Sequence, residues 1–158
     1  MAVIRGYSGK EAAGIVIDSR KVEPGDIFVA IRGERVDGHQ FIREVFDKGA
    51  IAVVCEEEPE ELPGPCIRVE DSLAALRQIA AFYREQMPIP IVGITGSVGK
   101  TSTKEFVASV LAQKYKTHKT QGNFNNEIGV PLTLLAMPED TEVPLWRWAS
   151  IISGRCTV

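Results

Sequence analysis

Lys100, Thr101 and Ser102 follow a glycine-punctuated turn, Gly93-Ile94-Thr95-Gly96-Ser97-Val98-Gly99, which itself follows Ile91-Val92. These residue types in this order can hold a polyphosphate. Glycines let a backbone curl until successive N–H groups point at one anion. A helix beginning after Gly99 adds its positive N-terminal end. Lys100 reaches the terminal phosphates in such a loop, and Thr101 sets its hydroxyl on Mg²⁺. The strict spacing wants glycine where Ile94 stands, so this loop is a variant of the pattern. On this reading Gly96, Ser97, Val98, Gly99, Lys100, Thr101 and Ser102 bind the phosphates of a nucleotide. Lys100 and Thr101 have the catalytic roles, and Thr101 is the metal ligand.

A second polar cluster lies downstream, in Gly122-Asn123-Phe124-Asn125-Asn126-Glu127. A helix cap accounts for one asparagine. Three asparagines and a glutamate between a strand and a helix predict a ligand-facing role for Asn123, Asn125, Asn126 and Glu127, because α/β sheets bind ligands beyond their strand carboxyl ends. The polar break Asp18-Ser19-Arg20 interrupts an apolar run near the start of the chain. Taken alone it reads as a strand-end turn with a surface arginine.

Alternating strands and helices position these groups. Apolar runs at 13–17, 27–31, 51–55 and 66–70 predict strands. Phe41, Ile42, Val45 and Phe46 recur at helical spacing and end at Lys48-Gly49. Asp71 or Ser72 caps a helix running to about Gln86, with Leu73, Leu76, Ile79, Ala80 and Tyr83 as its apolar stripe. Met87-Pro88-Ile89-Pro90 cannot continue that helix and predicts a hinge. Beyond it come the loop, a helix over 100–115 burying Phe106, Val107, Val110 and Leu111, a strand over 115–118, and a helix carrying Leu132, Leu134, Leu135 and Met137. This order predicts an α/β fold: a small N-terminal α/β domain over 1–87, then the start of a phosphate-loop α/β domain over 88–143.

The whole sequence is 44% hydrophobic and 25% charged, with net charge −3. That balance suits an ordinary globular protein and gives no reason to expect a nucleic-acid partner. No apolar run approaches the ~20 residues of a membrane helix, and the first ten residues lack the apolar core of a signal peptide. Cys55, Cys66 and Cys156 are scattered, with no metal-ligand spacing, and read as buried thiols of a reducing cytoplasm. His39 and His118 are too far apart in sequence to suggest a metal pair.

Three stretches together resemble the Mur ligase family, the ATP-dependent amide-forming enzymes of peptidoglycan precursor synthesis. The first is Asp18-Ser19-Arg20 with Pro24-Gly25-Asp26, Phe28-Val29-Ala30 and Asp37-Gly38-x-x-Phe41. It resembles the uridine-nucleotide domain of the members that add the third residue or the terminal dipeptide. The second, Thr95 to Ser102, resembles the family's ATP loop and accounts for the departure at Ile94. The third, Gly122 to Leu135, is most similar to the dipeptide-adding members. The resemblance spans about residues 13–143. It implies ATP and Mg²⁺ as cofactors and a UDP-N-acetylmuramoyl tripeptide and D-alanyl-D-alanine as substrates. It also implies a cytoplasmic, monomeric full-length enzyme, and a place for Asp18, Ser19 and Arg20 at the uridine-nucleotide end. The alternatives are a ligase adding the third peptide residue and a phosphate-loop nucleotide-binding module that is no ligase. A folate-glutamating relative shares the loop, but the Asp18-Ser19-Arg20 stretch argues against it.

The composition changes after Glu142: no acidic residue follows, and both tryptophans, Trp146 and Trp148, occur there. With Leu145 as TTG and Arg147 as AGA, the bases of Trp146-Arg147-Trp148-Ala149 read one position earlier encode Val-Glu-Met-Gly, a motif the resemblance places on the next strand. The expectation is therefore one lost nucleotide near codon 144, an out-of-frame tail over 144–158 that suits neither a packed strand nor a solvated end, and a truncated chain without turnover.

Overall fold

The computed structural model describes residues 3–5, 11–33, 36–61, 63–120, 127–138 and 140–147. The chain divides into two compact units, Met1–Leu76 and Arg77–Val158. Both are α/β, with sheets that are parallel except for one edge strand of the first unit.

The first unit is built on a five-stranded sheet. Its strands are β1 (Val3–Arg5), β2 (Gly14–Val16), β3 (Asp26–Val29), β4 (Ala52–Cys55) and β5 (Cys66–Arg68), in the order β1-β5-β4-β3-β2. β2 to β5 are parallel and β1 runs antiparallel along β5. Phe28, Val29, Val53 and Val54 are fully buried, as expected of apolar runs inside a parallel sheet. Helix α1 (Ile42–Asp47) follows one turn of 3₁₀ helix over Gly38–Phe41 and presses Ile42 and Val45 onto this core. Asp37 caps the 3₁₀ turn, accepting from the His39 amide at 2.9 Å.

Helix α2 (Ser72–Glu85) starts at two carboxylates: Glu56 accepts from the Ser72 amide and Asp71 from the Ala74 amide, at 2.9 and 2.8 Å. The two compact units divide inside this helix, between Leu76 and Arg77. The reason is packing. Ala80 and Tyr83 belong to a cluster with Leu134, Met137 and Trp146, so the helix continues into the second core before its prolines end it. Arg84 then holds the hinge segment, donating to the Met87 carbonyl at 2.7 Å.

The second unit has a parallel three-stranded sheet in the order β6-β8-β7. Its strands are β6 (Val92–Ile94), β7 (Thr117–Lys119) and β8 (Val143–Arg147). Helix α3 (Lys100–Leu111) connects β6 to β7, and α4 (Gly129–Leu135) connects β7 to β8. Two expectations are corrected here. Residues 144–147 do not form an unpaired end: they lie in the central strand, with Leu145 at 0% and Trp146 at 1% exposure. A strand covered on both faces requires apolar side chains, and these satisfy it. Residues 148–158 lie outside the described residues. The buried stripe of α3 is also different. Phe106 and Val110 are 73% and 69% exposed, while Lys104 and Ala108 face inward with Val107 and Leu111 packed beside them. Both stripes have helical spacing, and the sheet selects the second.

Candidate functional site

The loop after β6 has the geometry its glycines imply. Gly96 and Gly99 take φ of 143° and 79°, a region that side chains with a Cβ rarely enter. Gly99 is the N-cap of α3 and offers no side chain to its amides. The first-turn N–H groups thus face a concavity of about 320 Å³ lined by Ser97, Val98, Gly99, Lys100, Thr101 and Ser102. The Lys100 ammonium folds back over the loop, donating to the Gly96 carbonyl and, at 3.5 Å, to that of Ser97. Thr101 and Ser102 are exposed on the first turn. One ammonium, a helix N-terminus with no side-chain cap and two exposed hydroxyls fit a nucleotide phosphate tail with its divalent cation.

Asp18, Ser19 and Arg20 do come together, but as a closed turn. Asp18 caps a 3₁₀ turn over Ser19–Lys21 and takes the Arg20 guanidinium bidentately, Nε and Nη2 each at 2.8 Å. The Arg20 hydrogen bonds hold the Asp18 carboxyl down to about 2. Arg20 itself is exposed. Ser19 is buried, and its carbonyl accepts from Lys48 at 2.7 Å, so the turn is anchored to the end of α1. Nearby in sequence, His39 donates through Nδ1–H to Asp37 at 2.6 Å and accepts the Glu56 amide on Nε2 at 2.9 Å. That pattern requires the neutral ring.

Asn123, Asn125 and Asn126 lie outside the described residues. Glu127 is described: it is exposed before α4 and pairs with Arg77 at 2.9 Å. Sequence reasoning missed Lys104, which is 2% exposed and lies one helical turn beyond Lys100. The signal was present, as a lysine in the 104, 107, 108, 111 stripe. Cys55 and Cys66 are buried, as expected, and what the sequence did not show is that they meet. The pairing of β4 with β5 sets the Cys55 and Cys66 sulfurs 2.6 Å apart in the first core. Burial pushes the Cys55 thiol well above its ordinary range, which makes it a packing group and no nucleophile.

These features define a phosphate-loop α/β unit preceded by a second α/β unit, and comparison with known proteins places the pair. The profile described as Mur ligase family, catalytic domain matches residues 11–84, and that of the Mur ligase middle domain matches 94–145. The chain belongs to the Mur ligase family and carries its N-terminal and middle regions. More particularly, it is 44% identical over 146 residues to the UDP-N-acetylmuramoyl-tripeptide--D-alanyl-D-alanine ligase of Bacillus subtilis (strain 168), covering 89% of this chain and 31% of that protein. It is 51% identical over 137 residues to the Synechocystis sp. ligase of the same name, covering 85% and 30%. The Acinetobacter baumannii ligase structure superposes with a TM-score of 0.81 at 35% identity, over 89% of this chain and 31% of that one. The Thermotoga maritima MurF ligase, solved in complex with ADP, gives 0.77 at 36%, over 85% and 31%. The chain thus spans about 31% of the length of the relatives it matches.

Proposed function

We propose that the chain supplies the uridine-nucleotide and ATP-loop regions of an ATP-dependent ligase that joins D-alanyl-D-alanine to a UDP-N-acetylmuramoyl tripeptide. The observation that carries this reading is the loop: positive φ at Gly96 and Gly99, an uncapped α3 and a lysine folded over it, in a chain 51% identical to a ligase of that name. In the reaction, the tripeptide carboxylate takes the γ-phosphoryl group of ATP. The dipeptide amine attacks the acyl phosphate, an amide bond forms and phosphate leaves. Such chemistry needs charge neutralisation and alignment more than a protein nucleophile. Lys100 and the first-turn amides hold the phosphates. Thr101 holds Mg²⁺, which neutralises phosphate charge when bound. Asp18, Ser19 and Arg20 serve the uridine-nucleotide end, and Glu127 with Asn123, Asn125 and Asn126 the peptide side. The site of action is the cytoplasm, where buried thiols such as those of Cys55 and Cys66 stay reduced.

Thermal shift tests the assignment. At a hundredfold excess over its dissociation constant, a ligand adds about 2.7 kcal/mol to the state that binds it. Both Mg²⁺–ATP and the UDP-N-acetylmuramoyl tripeptide are expected to raise the melting temperature. A rise with ATP alone would reduce the reading to a nucleotide-binding module, and no rise with either would overturn it.

A further inference from the structure

Lys104 is a charged side chain that the proposed chemistry leaves unused and the fold nonetheless buries, at 2% exposure. It sits on α3 at the position four after Lys100, on the same side of the helix. The rest of its stripe is apolar: Ala108 is buried, and Val107 and Leu111 pack against Ile94 and Leu145. An alkyl side chain would fill this place at less cost, since a buried ammonium loses hydration that only good partners restore. Lys104 has two. Its Nζ donates to the Thr120 carbonyl, just past the end of β7, and lies 3.2 Å from Glu105 Oε1. Glu105 in turn holds Lys119, the last residue of β7. The Lys119 and Lys104 hydrogen bonds keep the Glu105 carboxyl below its usual range. Thr120 is itself fixed to the central strand, donating its amide to the Leu145 carbonyl at 3.0 Å. α3 is therefore bolted at its second turn to the carbonyl end of β7, while its first turn forms the phosphate loop.

We infer that Lys104 is a positioning residue that couples the phosphate loop to the carboxyl end of β7, on the side of the sheet where α/β proteins take their ligands. The inference rests on the nucleotide-binding reading above. A rigid helix carries any adjustment of its first turn to its second. The buried ammonium passes it to Thr120, because the bond can neither swing into water nor be exchanged for one to solvent. A loss of this tie leaves the phosphate loop intact and the strand end uncoordinated with it.

The test compares the parent chain with Lys104→Met, which keeps the stem and removes the donor, and with Lys104→Arg, which restores a charged donor. Each is studied with and without Mg²⁺–ADP. Hydrogen exchange of 117–120 reports the strand end, and calorimetry reports affinity. In the parent, Mg²⁺–ADP is expected to slow exchange of 117–120 by about fivefold. In Lys104→Met that slowing disappears while ADP affinity stays within about threefold, and Lys104→Arg recovers it. Equal slowing in parent and Lys104→Met would overturn the inference. So would a Lys104→Met chain that loses ADP affinity and exchanges faster throughout 92–147, which marks a merely structural lysine. A parent that binds no ADP fails the nucleotide reading itself and takes this inference with it. A parent that binds ADP without slowing 117–120 fails the coupling alone.

Discussion

The turn at Asp18–Arg20 and the loop at Gly96–Ser102 both follow short parallel strands, yet they are built from opposite materials. The turn is made by side chains. Asp18 caps it, Arg20 closes on Asp18, and Ser19 is drawn inside against Lys48. The loop is made by backbone: two glycines in positive-φ conformations, an N-cap without a side chain, and amides left facing a concavity. A side-chain turn satisfies its charges internally and holds shape by ion pairing, so it is sensitive to pH. A backbone loop leaves its donors for a ligand and depends on dihedral freedom, so it is sensitive to substitution and indifferent to mild acid.

The largest expected effect strikes the loop's one charged group. Lys100→Ala should weaken Mg²⁺–ATP binding by about a hundredfold or more while leaving the melting temperature unchanged, because the lysine contributes charge and little packing. Equal affinity of variant and parent by calorimetry would remove the phosphate assignment. Gly99→Ala comes next. A methyl there would meet no atom within 4 Å, so its cost is purely conformational, on the order of 1–2 kcal/mol by denaturant unfolding. The strain falls on the first turn of α3, so nucleotide affinity should drop as well. An alanine variant as stable as the parent would mean that the loop does not need its positive φ.

The turn should respond to acid instead. With the Asp18 carboxyl held at about 2 against an ordinary 3.8, the folded state binds its proton less readily than the unfolded chain does. The stabilisation is present above about pH 4 and is lost as pH falls toward 2. NMR titration should place the Asp18 midpoint near 2, and Arg20→Ala should return it toward the ordinary value. A midpoint unchanged by Arg20→Ala would break the ion-pair account.

The smallest effect belongs to His118 of the second unit. Its Nε2–H donates to the Thr133 carbonyl at 3.1 Å, and burial lowers its pKa below 6.5. The folded state then resists the proton that the unfolded chain accepts. Stability is full above about pH 6.5 and declines as pH falls below it. Melting temperatures between pH 7 and 5 should slope downward, and His118→Gln should flatten the slope.

The loop was legible in sequence because its determinants are local. Glycines, a lysine and a hydroxyl in contiguous order report a conformation that needs no distant partner, and the Ile91-Val92 run and the following helix supply the context. The element order of both units was legible for the same reason, since period and turn chemistry act over a few residues. Lys104 was not legible as a site, because nothing in the helix itself says which of two apolar stripes will meet a sheet. α3 offers 106 and 110 on one side and 104, 107, 108 and 111 on another, and only the placement of β6, β7 and β8 turned the second inward. Strand pairing likewise set Cys55 beside Cys66, and helix packing set Arg77 beside Glu127. It also gave Leu145 and Trp146 the central strand. These are contacts between segments far apart in the chain. Their energies come from burial and pairing that exist only once the sheet has assembled, so tertiary structure alone decided them.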